Sequence, residues 1–332
     1  MIRYVWIILV FVGLTLSALQ DVYSQKYVYQ MRTIGKHDDE VLGVFVNGFD
    51  NKVATCSLDE TIKIWSLPDP ETKDPGGKLL TTCVGHLGQV NNLSFSGNDK
   101  FIASGSSDMT VRVWDVETGK QTAMLKGHTD QVIGVYYSQD EESQFIASTS
   151  FDKTVKLWDT KINAEVKTLR AHSKSINNVA YSYDGEHLAS CSDDKTIKIW
   201  STDLHTREPL MTLIGHEGAV LTVLYSFDSK ILLSSDELGY IKVWNMPSGR
   251  LLRTIKAHDD LIQDLSIAED NNTIVSASID KKVKLWDIST GKNLMTFDAG
   301  VEIWAVDLVS DAGTLIIGCA DGTVRFLERK NK

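Results

Sequence analysis

Between His86 and Trp114 the chain alternates apolar and polar residues in three short runs, QVNNLSFSG, FIASGSS and TVRVWDV, separated by Gly, Asn and Asp. Alternation of period two in short runs rich in β-branched residues predicts half-buried β-strands joined by tight turns. A fourth run, QTAMLKG, leads into the next histidine. The unit therefore predicts four short antiparallel strands. The same pattern recurs along the chain, and only the first nineteen residues could be read as helical.

Polar punctuation marks each unit. A dipeptide ending in histidine stands at Lys36-His37, Gly85-His86, Gly127-His128, Ala171-His172, Gly215-His216 and Ala257-His258. A tryptophan follows at Trp65, Trp114, Trp158, Trp200, Trp244 and Trp286, 28 residues on in five cases and 30 in the third. Successive histidines lie 42 to 49 residues apart, a period that signals an array of small sheets. An aspartate lies six residues before the tryptophan in five units, and Trp114-Asp115, Trp158-Asp159 and Trp286-Asp287 close their units. A seventh, degraded copy has Ala299-Gly300 for Gly-His and Leu327 for the tryptophan.

In these residues, over about Tyr27 to Arg329, the chain resembles the WD-repeat family. With four strands per unit, the resemblance implies an all-β fold: a seven-bladed β-propeller of four-stranded antiparallel blades. Such a ring must not leave two open sheet edges. KYVYQMRTI (Lys26 to Ile34) is an orphan fourth strand ahead of the first histidine, and the last unit ends after its third strand, TVRFLER. The N-terminal strand is therefore expected to pair with the C-terminal one and close the ring. One propeller domain, residues 25–332, is expected.

By the same resemblance, each histidine links the aspartate of a tight turn to a strand hydroxyl, with the indole completing the set. The sets are His37, Asp59 and Trp65; His86, Asp108 and Trp114; His128, Asp152 and Trp158; His172, Asp194 and Trp200; His258, Asp280 and Trp286. The hydroxyl comes from Ser57, Ser106, Ser150, Ser192 or Ser278, or from the hydroxyl residue two earlier. Six equivalent histidines argue for structure, because a catalytic histidine needs one special environment. In the fifth unit Leu238 occupies the aspartate position, so His216, beside Trp244, either takes Asp236 as its partner or sits by a different turn. The fifth and seventh blades are expected to be the softest.

A formal charge of −10 and a pI near 5.3 disfavour a general nucleic-acid binder, which needs a basic surface, and favour partners with basic groups. The four cysteines (Cys56, Cys83, Cys191 and Cys319) form no Cys-x-x-Cys pair, so neither zinc nor a dense disulfide framework is expected. Four unpaired thiols fit a reducing compartment. No nucleophile elbow, phosphate-cradling glycine loop, H-E-x-x-H or Ca²⁺ loop spacing occurs, so no catalytic residue, metal or cofactor is expected. His187 and His205 lie outside the repeat positions in turn-like contexts and read as solvated.

Residues 1–24 point the other way. Arg3 precedes an apolar run from Tyr4 to Leu14, the length of a signal-peptide core and short for a membrane span. Val22-x-Ser24 suits signal peptidase, leaving Gln25 first; uncleaved, the run would anchor the chain. Both readings favour translocation of the propeller. The alternative is a cytoplasmic protein with an untranslocated extension. Membrane contact is expected only through this segment. Of two sequons, Asn92 falls in an inner strand and Asn271 in a turn.

In the family resembled here, partners commonly sit on the face where the fourth-to-first strand loops and second-to-third strand turns emerge. The fifth residues after each histidine are Leu42, Asn91, Ile133, Asn177, Leu221, Gln263 and, in the last unit, Trp304. The third positions include Glu40, Leu261 and Glu302, and the residues before the turn aspartates include Leu58, Phe151 and Ile279. Large apolar side chains beside acidic ones, among them Asp259 and Asp260, imply a basic peptide anchored by an apolar or arginine side chain. Trp304 and Phe151 lead as anchors. The alternative is that these side chains fill the channel mouth. The insertion from Leu67 to Lys78 reads as a polar surface loop. Three functions remain open: an interaction scaffold, a secreted or tethered propeller with an extracellular or luminal ligand, and an enzyme using the channel mouth.

Overall fold

The structure, a computed structural model, describes residues 29–48, 51–68, 75–139, 144–170, 172–309 and 313–329. The segment 1–24, Lys26 to Val28 of the expected clasp and residues 69–74 of the insertion lie outside the described residues. After β1 (Tyr29–Lys36), blade one is built from β2 (Val41–Val46), β3 (Lys52–Ser57), β4 (Thr61–Ser66) and β5 (Leu79–Val84). Blade two holds β6 (Val90–Phe95), β7 (Phe101–Ser106), β8 (Thr110–Asp115) and β9 (Gln121–Lys126). Blade three holds β10 (Val132–Tyr137), β11 (Phe145–Ser150), β12 (Val155–Asp159) and β13 (Ala164–Leu169). Blade four holds β14 (Ile176–Tyr181), β15 (His187–Ser192), β16 (Thr196–Ser201) and β17 (Met211–Ile214). Blade five holds β18 (Val220–Tyr225), β19 (Ile231–Asp236), β20 (Tyr240–Asn245) and β21 (Arg250–Lys256). Blade six holds β22 (Ile262–Ile267), β23 (Thr273–Ser278), β24 (Lys282–Asp287) and β25 (Lys292–Asp298). Blade seven holds β26 (Ile303–Val309), β27 (Thr314–Cys319) and β28 (Thr323–Arg329). Among the described residues there is no helix.

The first six blades are antiparallel meanders in chain order, because short polar turns allow only neighbouring strands to pair. Blade seven has the order β26-β27-β28-β1. Tyr29 lies opposite Arg329 and Lys36 opposite Thr323, with a bulge between Thr33 and Gly35. Arg32 adds an ion pair to Glu328 at 2.9 Å. The first strand of the chain thus closes the ring as the outer strand of its last blade.

The core lies between blades. Seven buried clusters each draw on two adjacent sheets; one joins Ala54, Cys56, Ile62 and Ile64 of blade one to Val90, Leu93, Phe95 and Trp114 of blade two. The seam between blades seven and one joins Ile316, Val324 and Phe326 to Val41, Val53 and Trp65. Leu327 fills the tryptophan position in the seam between blades six and seven. Truncating a buried aromatic of this kind typically costs about 3–5 kcal/mol, so each tryptophan is a main seam contact.

Deleting residues 29–36 removes one strand of blade seven and leaves β28 an open edge. The expected outcome is a fall in melting temperature of about 10 °C or more and a shift to larger species in size-exclusion chromatography. A monomer melting at the original temperature would contradict closure by β1.

Candidate functional site at the channel mouth

Each of six blades carries one buried polar network. In blade two, His86 Nδ1 lies 2.8 Å from Asp108 Oδ2 and Nε2 lies 2.7 Å from Ser104 Oγ, which also accepts Trp114 Nε1 at 2.8 Å. The same set is formed by His37, Asp59, Thr55 and Trp65, and by His128, Asp152, Ser148 and Trp158. It recurs as His172, Asp194, Ser190 and Trp200, and as His258, Asp280, Ser276 and Trp286. The hydroxyl is thus the residue two before the serine next to the turn, because the imidazole reaches past the turn to the next residue on the same strand face. Ser57, Ser106, Ser150, Ser192 and Ser278 brace the turn instead: each accepts the backbone N–H of the turn aspartate and donates to a carbonyl of the preceding loop.

Aspartate, histidine and hydroxyl are connected as in a hydrolase triad. Here, however, the hydroxyl is fully buried and already holds an indole N–H, so it cannot meet a substrate. Burial opposes ionisation of the turn aspartates, yet hydrogen bonds from histidine, threonine and backbone N–H groups outweigh it. Asp59, Asp108 and Asp152 are held well below the usual carboxylate range, and Asp194 and Asp280 at about 2. Burial lowers His86, His172, His216 and His258 against the pull of their aspartates, which keeps the imidazoles neutral.

Blades five and seven each hold a polar network of their own. Asp236 Oδ2 meets His216 Nδ1 at 2.7 Å, Ser234 bridges His216 and Trp244, and Leu238 N and Tyr240 N bind Asp236 Oδ1. Blade five therefore has a complete network. In blade seven a guanidinium does the linking: Arg325 binds Asp321, Thr323 Oγ1 and the Ala299 carbonyl.

The inner strands β2, β6, β10, β14, β18, β22 and β26 surround a channel cavity of about 460 Å³. Leu42, Asn91, Ile133, Asn177, Leu221, Gln263 and Trp304 all line it, and so does Phe151 from the turn after β11. Leu58, Leu261 and Ile279 are half-buried on the rim outside that lining. Of the eight apolar candidates only Phe151, at 39%, is exposed; more open apolar side chains, Leu87, Ile214 and Val84, lie outside the channel lining. The Trp304 indole N–H is buried without a partner among the described residues. Backbone bonds from Leu58, Phe151 and Ala320 to the Glu40, Gln131 and Glu302 carbonyls tie the two kinds of rim loop together.

Asp259, Asp260 and Glu302 are exposed, while Glu40 is half-buried. Burial, then the charges of Asp39 and Glu302, push the Glu40 carboxyl up. Lys282 lies 3.9 Å from Asp259. Among the described residues that line the channel, Asp264, Glu269 and Asp307 are acidic and none is Lys, Arg or His. Sequence reasoning missed Asp264 and Asp307, although a carboxylate inside the inner-strand runs IQDLSI and IWAVDLV was the available signal. It also missed Phe45, Tyr136, Tyr183 and Phe227, which line the channel toward the opposite face; Tyr183 and Phe227 stack at 4.6 Å.

A family profile described as "WD domain, G-beta repeat" matches residues 29–66, 77–115, 119–159, 163–201 and 207–245, and one described as "TEP-1 C-terminal beta-propeller" matches residues 258–329. Among solved structures the chain is similar to the WD40 beta propeller domain of Doa1, with a TM-score of 0.77 and 27% identity over 92% of this chain and 98% of that one. It is 40% identical over 104 residues to coatomer subunit beta'-1 of Arabidopsis thaliana, covering 30% of this chain and 10% of that protein. It is 31% identical over 135 residues to coronin-7 of Mus musculus, covering 35% and 14%. It is 32% identical over 136 residues to nuclear distribution protein PAC1 of Fusarium vanettenii, covering 37% and 29%. The chain thus spans under a third of the length of these relatives.

Replacing Ser104 with Ala leaves an imidazole nitrogen and an indole N–H buried and unpaired, at an expected cost of about 2–4 kcal/mol. Ser106→Ala, which frees only the part-buried Gly88 carbonyl and Asp108 N–H, is expected to cost about 1 kcal/mol. Urea unfolding of both variants checks the order, which reverses if Ser106 carries the network.

Proposed function

This chain belongs to the WD-repeat family, and on that premise we propose that it is a non-catalytic scaffold whose channel mouth binds basic segments of partner proteins. One observation carries the reading: an apolar mouth with Trp304 and Phe151, flanked on blades six, seven and one by Asp259, Asp260, Glu302 and Glu40, over a channel whose described lining has acidic groups and no cation. The Glu40 carboxyl is pushed up partly by Glu302, so a lysine or arginine placed there relieves a repulsion the free protein carries. The indole of Trp304 offers a flat, half-exposed apolar surface, common at interface anchors. The rim apolar residues Leu42, Leu58, Ile133, Leu221, Leu261 and Ile279 complete the contact surface. That one relative is by name a coatomer subunit accords with a role in assemblies.

A second reading concerns placement. β1 begins at Tyr29, opposite Arg329, at the face away from the histidine loops. On this reading residues 1–24 are a cleaved signal or an anchor.

Basic peptides are expected to bind and acidic ones of matched length are not, with affinity falling as salt rises. Trp304→Ala is expected to weaken binding by about 2 kcal/mol, roughly thirtyfold in Kd. Fluorescence anisotropy on a panel of basic, neutral and acidic peptides decides; equal binding of the acidic set, or an unchanged Kd for the variant, overturns the proposal. N-terminal sequencing of the protein from its native source is expected to start at Gln25, and a start at Met1 removes the cleaved-signal reading.

A further inference from the structure

The innermost strand of each blade starts at a histidine loop and ends at the turn into its second strand. Its last residues and that turn therefore lie at the end of the channel opposite the proposed mouth. Aromatic rings gather there on blades one, three, four and five. Phe45 on β2 meets Tyr136 on β10 edge-on at 5.9 Å, across blade two, whose corresponding residue is the small, buried Ser94. The Tyr136 and Tyr183 hydroxyls lie within hydrogen-bonding reach of each other, and Tyr183, after β14, stacks on Phe227, after β18, at 4.6 Å. Blades six and seven supply acidic groups instead. Glu269, after β22, and Asp307, on β26, line the same cavity, and among the described residues of that lining there is no Lys, Arg or His. Tyr183 and Phe227 are each 38% exposed, so their rings are open to solvent and not sealed into a seam. Glu269 is exposed and makes no ion pair among the described residues.

We propose that this far end of the channel binds a small, free quaternary ammonium ion of the choline class, its methyl groups against the Tyr183 and Phe227 rings and its charge balanced by Glu269 and Asp307. The site is separate from the mouth that holds Trp304 and does not depend on peptide binding there. An aromatic face attracts a cation through the ring quadrupole, and an acidic cavity with no cation of its own is complemented by one. Hydrogen-bond capacity decides which cation. The Asp307 oxygens already accept Val46 N, Ser266 Oγ and Leu308 N, and those of Asp264 accept Val306 N and Leu265 N. A carboxylate has about four acceptor positions, so Asp307 retains roughly one. An ammonium or guanidinium brings several N–H donors, which would lose water here without enough acceptors to replace it. A quaternary ammonium has no donor to satisfy. Its charge is spread over methyl groups, and those suit ring faces backed by carboxylates. A phosphate attached to it would meet the same carboxylates, which favours the free cation over a lipid headgroup.

The test is an NMR titration of the full chain, labelled at tyrosine and phenylalanine, with choline at constant ionic strength. Its uncharged carbon isostere dimethylbutanol, methylammonium and phosphocholine are titrated alongside. Choline is expected to shift the ring resonances of Tyr183 and Phe227, with contacts between its methyl protons and those rings. The isostere is expected to bind at least about tenfold more weakly. Tyr183→Leu and Phe227→Leu, at exposed positions, are each expected to weaken choline about fivefold or more, and Glu269→Gln about threefold. Unchanged melting temperatures show that these variants fold; if one does not, the comparison of the four ligands on the wild type decides by itself. Equal binding of the isostere, tighter binding of methylammonium or of phosphocholine, or no shift at Tyr183 and Phe227 at the highest choline concentration overturns the proposal. Peptide binding at Trp304 is a separate measurement, so either reading can fail while the other stands.

Discussion

No blade of this protein buries its own hydrophobic face; each is covered by the next. All seven buried clusters straddle a seam, so removing one sheet strips the cores of two neighbours. Linear stacks solve the same problem with polar caps at their ends. A ring has no ends to cap, and it is stable only if the last seam forms. Here that depends on β1 pairing with β28, which lets residues nearly three hundred positions apart share one sheet.

The polar networks are the second consequence of that geometry. A sheet packed on both faces can hold a turn rigidly only if its buried donors and acceptors are all engaged. Histidine suits the position because its two nitrogens span from turn to strand, and burial keeps it neutral beside an ionised aspartate. The chemistry tolerates substitution where the connections survive: Asp236 shifts by two residues in blade five, and Arg325 with Asp321 replaces the set in blade seven. Completeness of the bonding, more than identity of the residues, is what the blades share.

Rigidity also suits the mouth to the binding role proposed for it. Seven inner strands converge there with no side chain long enough to fill the axis, leaving a cavity whose wall combines apolar groups with uncompensated carboxyls. Two of those carboxyls, Asp264 and Asp307, accept backbone N–H groups across the seams on either side of blade seven. The proposed anchor Trp304 and the seam residue Asp307 lie three positions apart on β26.

The repeat made the architecture readable from the amino-acid order alone. Period-two runs of β-branched residues specify strands, the His-to-Trp interval specifies four of them per unit, and an unpaired fourth strand at one end with a missing one at the other specifies closure. Those are local or periodic properties, and local patterning survives folding unchanged. Which hydroxyl meets the imidazole, whether Asp236 serves His216, and how deeply Leu42, Ile133 and Leu221 sink into the channel were decided only by the packed structure. So were the cross-seam bonds of Asp264 and Asp307, which in the chain are two polar interruptions forty-three residues apart. Their meaning comes from distances across seams, and a distance between blades depends on every strand that sets the ring's curvature, which no single run of sequence encodes.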